Sequence, residues 1–170
     1  MLREYAERDI PEILIAYQDD PELHLRIGES HPPSGAELGR RAERAEAERI
    51  AGTHVRLTIL SPDSDICRGQ LSVHGVDWDH ARAELGIWLA PQARGRGMAT
   101  ESLRVASRWL LGPCRLERLQ ILTEPDNEAM IAAARSAGFV YEGVLRGYTR
   151  EHGNRVDNAV LALVRSDLAA

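Results

Sequence analysis

The stretch Gln92-Ala93-Arg94-Gly95-Arg96-Gly97-Met98-Ala99 decides how the rest of the chain is read. It follows an apolar run, Leu85 to Ala90, that has the composition of a buried strand and stops at Pro91. Beyond the two glycines a helical pattern begins, with Leu103, Ala106 and Leu110 recurring at spacings of three and four. Strand, glycine loop and helix in that order aim free backbone N–H groups and the positive end of a helix dipole at an anion. Glycine lets the backbone approach a phosphate that a Cβ would hold off. Arg94 and Arg96 add positive charge beside those amides. The segment therefore reads as a site for a phosphate-bearing ligand.

Absences narrow that ligand. Lysine and arginine together number 21, and every one is arginine. Without lysine there is no Walker A loop and no Schiff base with pyridoxal phosphate. The dinucleotide fingerprint G-x-G-x-x-G also fails. Thr100 stands where its third glycine would fall, and the loop follows a late strand rather than the first.

Outward from the loop, 170 residues with no linker and no internal repeat predict a single domain over 1–170. A net charge of −5 argues against nucleic acid as an obligate partner. Cys67 and Cys114 are far apart and in no metal-like spacing. With no signal peptide and no apolar run of membrane length, the expected setting is the cytoplasm with reduced thiols.

Residues 1–6 read as a short edge strand. Asp9 reads as the cap of a helix running to about Gln18, with Ile13, Leu14 and Tyr17 facing inward. His31-Pro32-Pro33 breaks the chain, and Ser34 with Glu37 forms a capping box ahead of a helix to about Ile50. The mixed charges from Arg40 to Arg49 read as a solvated face, because their signs balance. Strands follow at 53–60, 66–76 and 81–90, then the glycine loop and a helix over 96–111 closed by Gly112-Pro113. Arg118–Thr123 reads as a fifth strand, and Asp126 or Asn127 caps a short helix that stops at Gly138. Two long strands, 139–150 and 155–165, are joined by Glu151-His152-Gly153-Asn154. The last is apolar on both faces from Val156 to Val164, so it is expected in the sheet interior. The order predicts an α/β (α+β) fold, a mixed sheet with helices on both faces.

This order, with Gln92-x-x-Gly95-x-Gly97 after the fourth strand, resembles the GNAT superfamily of acetyl-CoA-dependent N-acetyltransferases. Within it, Glu84-Leu85-Gly86-Ile87-Trp88-Leu89-Ala90-Pro91, Met98-Ala99-Thr100-Glu101, Gly138 to Arg146 and Gly153-Asn154-Arg155-Val156-Asp157 resemble the RimJ/RimL-like branch. That branch holds amino-terminal acetyltransferases of ribosomal proteins and many small-amine acetyltransferases. The resemblance implies a mostly antiparallel seven-stranded sheet with a splay between strands 4 and 5, and a homodimer. It implies acetyl-CoA as cosubstrate and no metal. The amides from Arg94 through Gly95, Arg96, Gly97, Met98 and Ala99, with Thr100 in the first helical turn, would cradle the pyrophosphate. Ile87, Trp88 and Leu89 would offer backbone partners to the pantetheine arm. Asn127 would reach that arm as well as, or instead of, capping its helix. Arg135 is a candidate for the adenosine end, its alternative being a solvated surface arginine.

The implied chemistry is direct attack of a neutral amine on the thioester through a tetrahedral intermediate, whose oxyanion a backbone N–H near Leu89 would hold. Glu84, in an otherwise apolar run, is the candidate base; the alternative is a strand-end carboxylate paired with Arg82 or solvated. Asp157 would orient the amine or hold the last hairpin. The family's tyrosine acid, seven residues after the asparagine, is replaced by Ala134, and the serine some members carry three residues after it by Met130. Tyr141 and Tyr148 are the candidates left. Glu84, Glu142 and Asp157 favour a cationic acceptor, and His74, His80, Trp78 and Trp88 are candidates for its wall. The six histidines, among them His152, show no metal spacing and read mostly as loop or surface positions. The missing acid keeps a second reading open: a non-catalytic acyl-CoA-binding or regulatory protein.

Overall fold

The computed structural model describes residues 1–151 and 153–169, so His152 of the expected 151–154 turn lies outside the described residues. In chain order the elements are β1 (Leu2–Glu4), a 3₁₀ turn (Glu7–Asp9), α1 (Ile10–Asp19), α2 (Leu23–Arg26), α3 (Gly35–Ile50), β2 (Val55–Leu60), β3 (Cys67–Asp77) and β4 (Arg82–Leu89). After a 3₁₀ turn (Pro91–Ala93) come α4 (Met98–Leu111), β5 (Arg118–Thr123), α5 (Glu128–Ser136), β6 (Val140–Glu151) and β7 (Asn154–Val164). The described strands form one seven-stranded sheet ordered β1-β2-β3-β4-β5-β7-β6. The pairs β1–β2, β2–β3, β5–β7 and β6–β7 are antiparallel, and β4–β5 is parallel. This is the mostly antiparallel mixed sheet expected, with β1 at an edge and β7 inside.

The chain divides into two compact units: Met1–His74 with Gly86–Ala99, and Gly75–Leu85 with the chain from Thr100 onward. In the first, β1 pairs with β2 from Leu2↔Ile59 to Glu4↔Leu57. Ile13 and Tyr17, one helical turn apart on α1, bury against Leu23, Leu38, Cys67 and Ala90. The capping box of α3 forms as expected: Ser34 Oγ accepts from the Glu37 N–H at 3.3 Å, and Glu37 accepts from the Ser34 N–H at 2.7 Å.

Two readings change here. Asp9 makes no side-chain cap bond to α1. Its carboxylate accepts instead from the Ala6 N–H at 3.1 Å, from Arg3 at 2.6 and 2.8 Å, and from the Thr58 hydroxyl at 2.7 Å. A half-buried cation and a buried hydroxyl win the carboxylate over the helix amides. The second change is α2, a single turn too short to show a helical period, anchored by the buried Leu23.

In the second unit, Leu103, Ala106 and Leu110 bury one face of α4, each leucine contributing about 2 kcal/mol. β5 alternates, with Leu119, Ile121 and Thr123 buried. β7 is buried continuously from Asn158 to Leu163, the mark of a strand covered on both faces. The parallel β4–β5 ladder comprises Arg82↔Arg118, Ala83↔Leu119 and Glu84↔Gln120; β5 pairs with β7 along its whole length, Arg118 to Thr123. With no lysine in the chain, cationic ends of ion pairs such as Arg3–Asp9, Arg41–Glu29 and Arg118–Glu142 are guanidinium groups.

Candidate active site

β4 runs out at Leu89, where the Ala90 N–H donates to the Arg68 carbonyl at 2.9 Å, and Pro91–Ala93 make one tight turn. Gly95 and Gly97 follow at φ +71° and +74°. Both sit in the left-handed region that glycine alone enters without strain. A Cβ built on either would meet nothing within 4 Å, so their open side has room for a ligand. Among the described residues no acceptor takes the amides of Gly95, Arg96 or Gly97. The first-turn amides of α4, from Met98, Ala99 and Thr100, have no acceptor within the helix by its geometry. These donors and the dipole of α4 fit an anion such as a pyrophosphate.

The two arginines of the loop differ. Arg96 is exposed and makes no ion pair among the described residues. Arg94 donates its Nε to the Leu89 carbonyl at 3.0 Å and its Nη2 to Asp20. Gln92 donates to Asp19. Ile87, Trp88 and Leu89 are half-buried, and Trp88 lies 6.0 Å, centroid to centroid, from the ring of Tyr17. At Gly69 of β3, a Cβ would stand 2.2 Å from the Trp88 carbonyl oxygen, so this close strand approach requires glycine. His54 is half-buried with its ring 6.0 Å from His74, and its Nε2 is buried without a partner among the described residues. Burial, then the positive charge of Arg56, lowers its pKa to about 4.

In the second unit, Glu84 accepts from the Gln120 side-chain amide at 3.2 Å. Arg82 turns to Asp77 at 3.1 and 3.2 Å. Asn127 is bound at both ends: Oδ1 accepts from the Met130 N–H at 3.1 Å, and Nδ2 donates to Thr123 Oγ1 at 3.0 Å. Of the two candidate caps, Asn127 is therefore the one in place. The Thr100 hydroxyl donates to the Ala133 carbonyl at 3.4 Å, joining α4 to α5. The Arg135 guanidinium lies over the Tyr141 ring, 5.3 Å from its centroid. Asp157 accepts from the Gly147 N–H at 2.6 Å, inside a break in the β6–β7 register. Glu142 forms a two-bonded pair with Arg118 at 2.6 and 2.9 Å, which holds its carboxyl below the usual range. Tyr148 is exposed, and His80 is bound to Asp77 at 3.0 Å.

Three residues here escaped the sequence reading: Asp19, Asp20 and Gln120. Asp19 and Asp20 looked like an ordinary helix end, and nothing in spacing ties them to residues 92–94. Gln120 carried a faint signal, as a polar residue in an apolar strand. Among the described residues no group of histidine, cysteine, aspartate or glutamate could hold a metal ion. No described helix is long and apolar enough to cross a membrane.

Comparison with known proteins adds independent findings. An acetyltransferase (GNAT) domain model matches residues 1–140. An uncharacterized N-acetyltransferase, p20, of Bacillus licheniformis is 23% identical over 163 residues, 96% of this chain and 92% of that protein. The spermidine N(1)-acetyltransferase of Escherichia coli K12 is 33% identical over 66 residues, 39% of this chain and 36% of its own. The structure of Mycobacterium smegmatis RimJ in complex with CoA-disulfide shares the fold at a TM-score of 0.82 and 24% identity, covering 99% of this chain and 83% of that one. The RimJ/RimL-like resemblance read from the sequence is borne out. On the family match across most of its length, the chain belongs to the GNAT family of acetyltransferases.

Proposed function

We propose that the protein transfers an acetyl group from acetyl-CoA to a primary amine, on a protein amino terminus or a small molecule. In this reading residues 1–170 work as one acetyltransferase domain. One observation carries the cosubstrate: two left-handed glycines opening α4, with amides that no group among the described residues accepts. A pyrophosphate needs that array, and Arg96 adds an uncommitted positive charge. The complex of the RimJ structure with a coenzyme A disulfide supports the same ligand.

In the reaction, the amine nitrogen forms a bond to the thioester carbonyl carbon, the C–S bond breaks, and the thiolate leaves. Glu84 takes the amine proton, directly or through a water, and Gln120 holds the carboxylate in one orientation. Ile87 to Leu89 present backbone to the pantetheine arm, and a backbone N–H near Leu89 faces the developing oxyanion. Asn127 presents its side chain to the same arm from the start of α5. Tyr141 is the acid for the leaving thiolate, with the guanidinium of Arg135 beside its ring. Asp157 holds the β6 bulge that shapes the acceptor wall. The spermidine acetyltransferase relative supports a cationic amine acceptor. A cytoplasmic homodimer without nucleic-acid or membrane partners completes the reading.

The test is coenzyme A release from acetyl-CoA against amino-terminal peptides, polyamines and aminoglycosides. Release driven by one acceptor class, and lost in Glu84→Gln, supports the enzyme and names its substrate. Binding of acetyl-CoA with no release on any amine would favour a regulatory acyl-CoA-binding protein instead.

A further inference from the structure

Arg94 stands between two acceptors of different kinds. Its Nε donates to the carbonyl of Leu89, the last residue of β4, at 3.0 Å, and its Nη2 donates to Asp20, the residue after α1. Asp20 is 8% exposed and also receives the guanidinium of Arg26. Burial alone would raise its carboxyl, but the bonds from Arg94 and Arg26 outweigh burial and lower it. One residue back, Asp19 receives the side-chain amide of Gln92. The Leu89–Ala90 peptide is thus fixed on both edges, its oxygen by Arg94 and its N–H by the Arg68 carbonyl. Two consecutive carboxylates at the end of α1 hold the segment from which the glycine loop departs.

We propose that Asp20 is a positioning residue for the cofactor loop, acting through Arg94, and that Arg94 is a brace rather than a phosphate ligand. The inference rests on the acetyl-CoA reading of that loop. For Arg94 to swing to a phosphate it must leave a buried carboxylate with Arg26 as its one remaining cation among the described residues. That exchange takes a cation from a buried carboxylate and only trades one charge contact of Arg94 for another. The phosphates are left to the loop amides and Arg96. What the brace supplies is order: Gly95 and Gly97 make the loop flexible on their own, and fixing its root lowers the entropy lost when a ligand settles on it.

The experiment is calorimetric titration of coenzyme A, with steady-state kinetics on acetyl-CoA, for the wild type, D20N, R94Q, R94K and D20N/R94Q. The brace predicts that D20N and R94Q each weaken coenzyme A binding and raise the KM for acetyl-CoA about tenfold, with kcat within about twofold. The double variant should match the single ones, because both cut the same chain. R94K should fare as badly as R94Q, since an ammonium keeps the charge but cannot span Asp20 and Leu89 together. The proposal is overturned if R94K binds like the wild type, or if D20N binds as tightly while R94Q weakens. Either result makes Arg94 a direct phosphate contact, and R94K decides the matter even if D20N fails to fold. A wild type that binds no coenzyme A instead removes the cofactor reading and the brace with it.

Discussion

Gln120 and Glu84 face each other across the parallel pair that joins β5 to β4, the glutamine amide donating to the carboxylate at 3.2 Å. A carboxylate meant to take a proton must point one way, and the Gln120 donor helps to hold it there. Glu84→Gln is expected to lower kcat by roughly 100-fold while coenzyme A affinity stays unchanged. Gln120→Leu should lower kcat by about tenfold through lost orientation. Stopped-flow and steady-state rates on one acceptor check both, and an unaffected Glu84→Gln enzyme would remove Glu84 as the base.

Asn127 can be separated into its two roles. Asn127→Ala loses the cap on the Met130 amide and the bond to Thr123, which should cost about 1 kcal/mol in urea unfolding. Asn127→Ser keeps a capping oxygen and should recover most of that stability. If the side chain also meets the pantetheine arm, the serine variant still binds coenzyme A several-fold more weakly. Equal affinity in Asn127→Ser would leave Asn127 as a cap alone.

His54 gives the fold a pH dependence of known sign. Its pKa falls from 6.5 to about 4, chiefly through burial and next through Arg56. The unfolded chain therefore binds a proton that the folded chain refuses, and stability rises with pH between those two values. As pH falls from 6.5 toward 4 the native state should lose on the order of 2 kcal/mol from this residue. His54→Phe, which keeps a ring and removes the orphaned Nε2, should flatten that slope. Thermal melts at pH 7.5, 6 and 5 measure it.

Gly69 tests the approach of β3 to β4. A methyl there would stand 2.2 Å from the Trp88 carbonyl oxygen, a backbone atom that cannot step aside. Gly69→Ala should cost about 2 kcal/mol or more by overpacking, read as a lower Tm. It should also weaken coenzyme A binding, because the displaced strand is the one leading into the loop. An alanine variant with wild-type Tm would show that the strands separate freely at this point.

Much of the architecture was legible because its signals are local. The α3 capping box, the termini of β5 and the glycine closing α5 each depend on residues a few positions apart, and the structure has them where the pattern put them. Asp9 was misjudged because its partners, Arg3 and Thr58, come from two strands, one of them far along the chain. The glycine loop was readable as an anion site from two residues. Its supports at Asp19 and Asp20 were not, since a carboxylate after a helix has the same local signature whether it meets water or an arginine on a distant loop. Arg94 and Arg96 look alike in sequence; only the fold separates a committed guanidinium from a free one.

The guanidinium ion pairs have a chemical consequence of their own. A thioester acylates neutral amines it meets, catalysed or not, and a lysine that is acylated loses its charge and its ion pair. Arginine stays protonated at any pH the fold experiences and is no nucleophile there. Arg3 on Asp9, Arg94 on Asp20 and Arg118 on Glu142 therefore cannot be erased by the acetyl donor this family uses. The side chains of this protein offer no amine to its own reagent, so prolonged exposure to acetyl-CoA should leave their charge pattern intact.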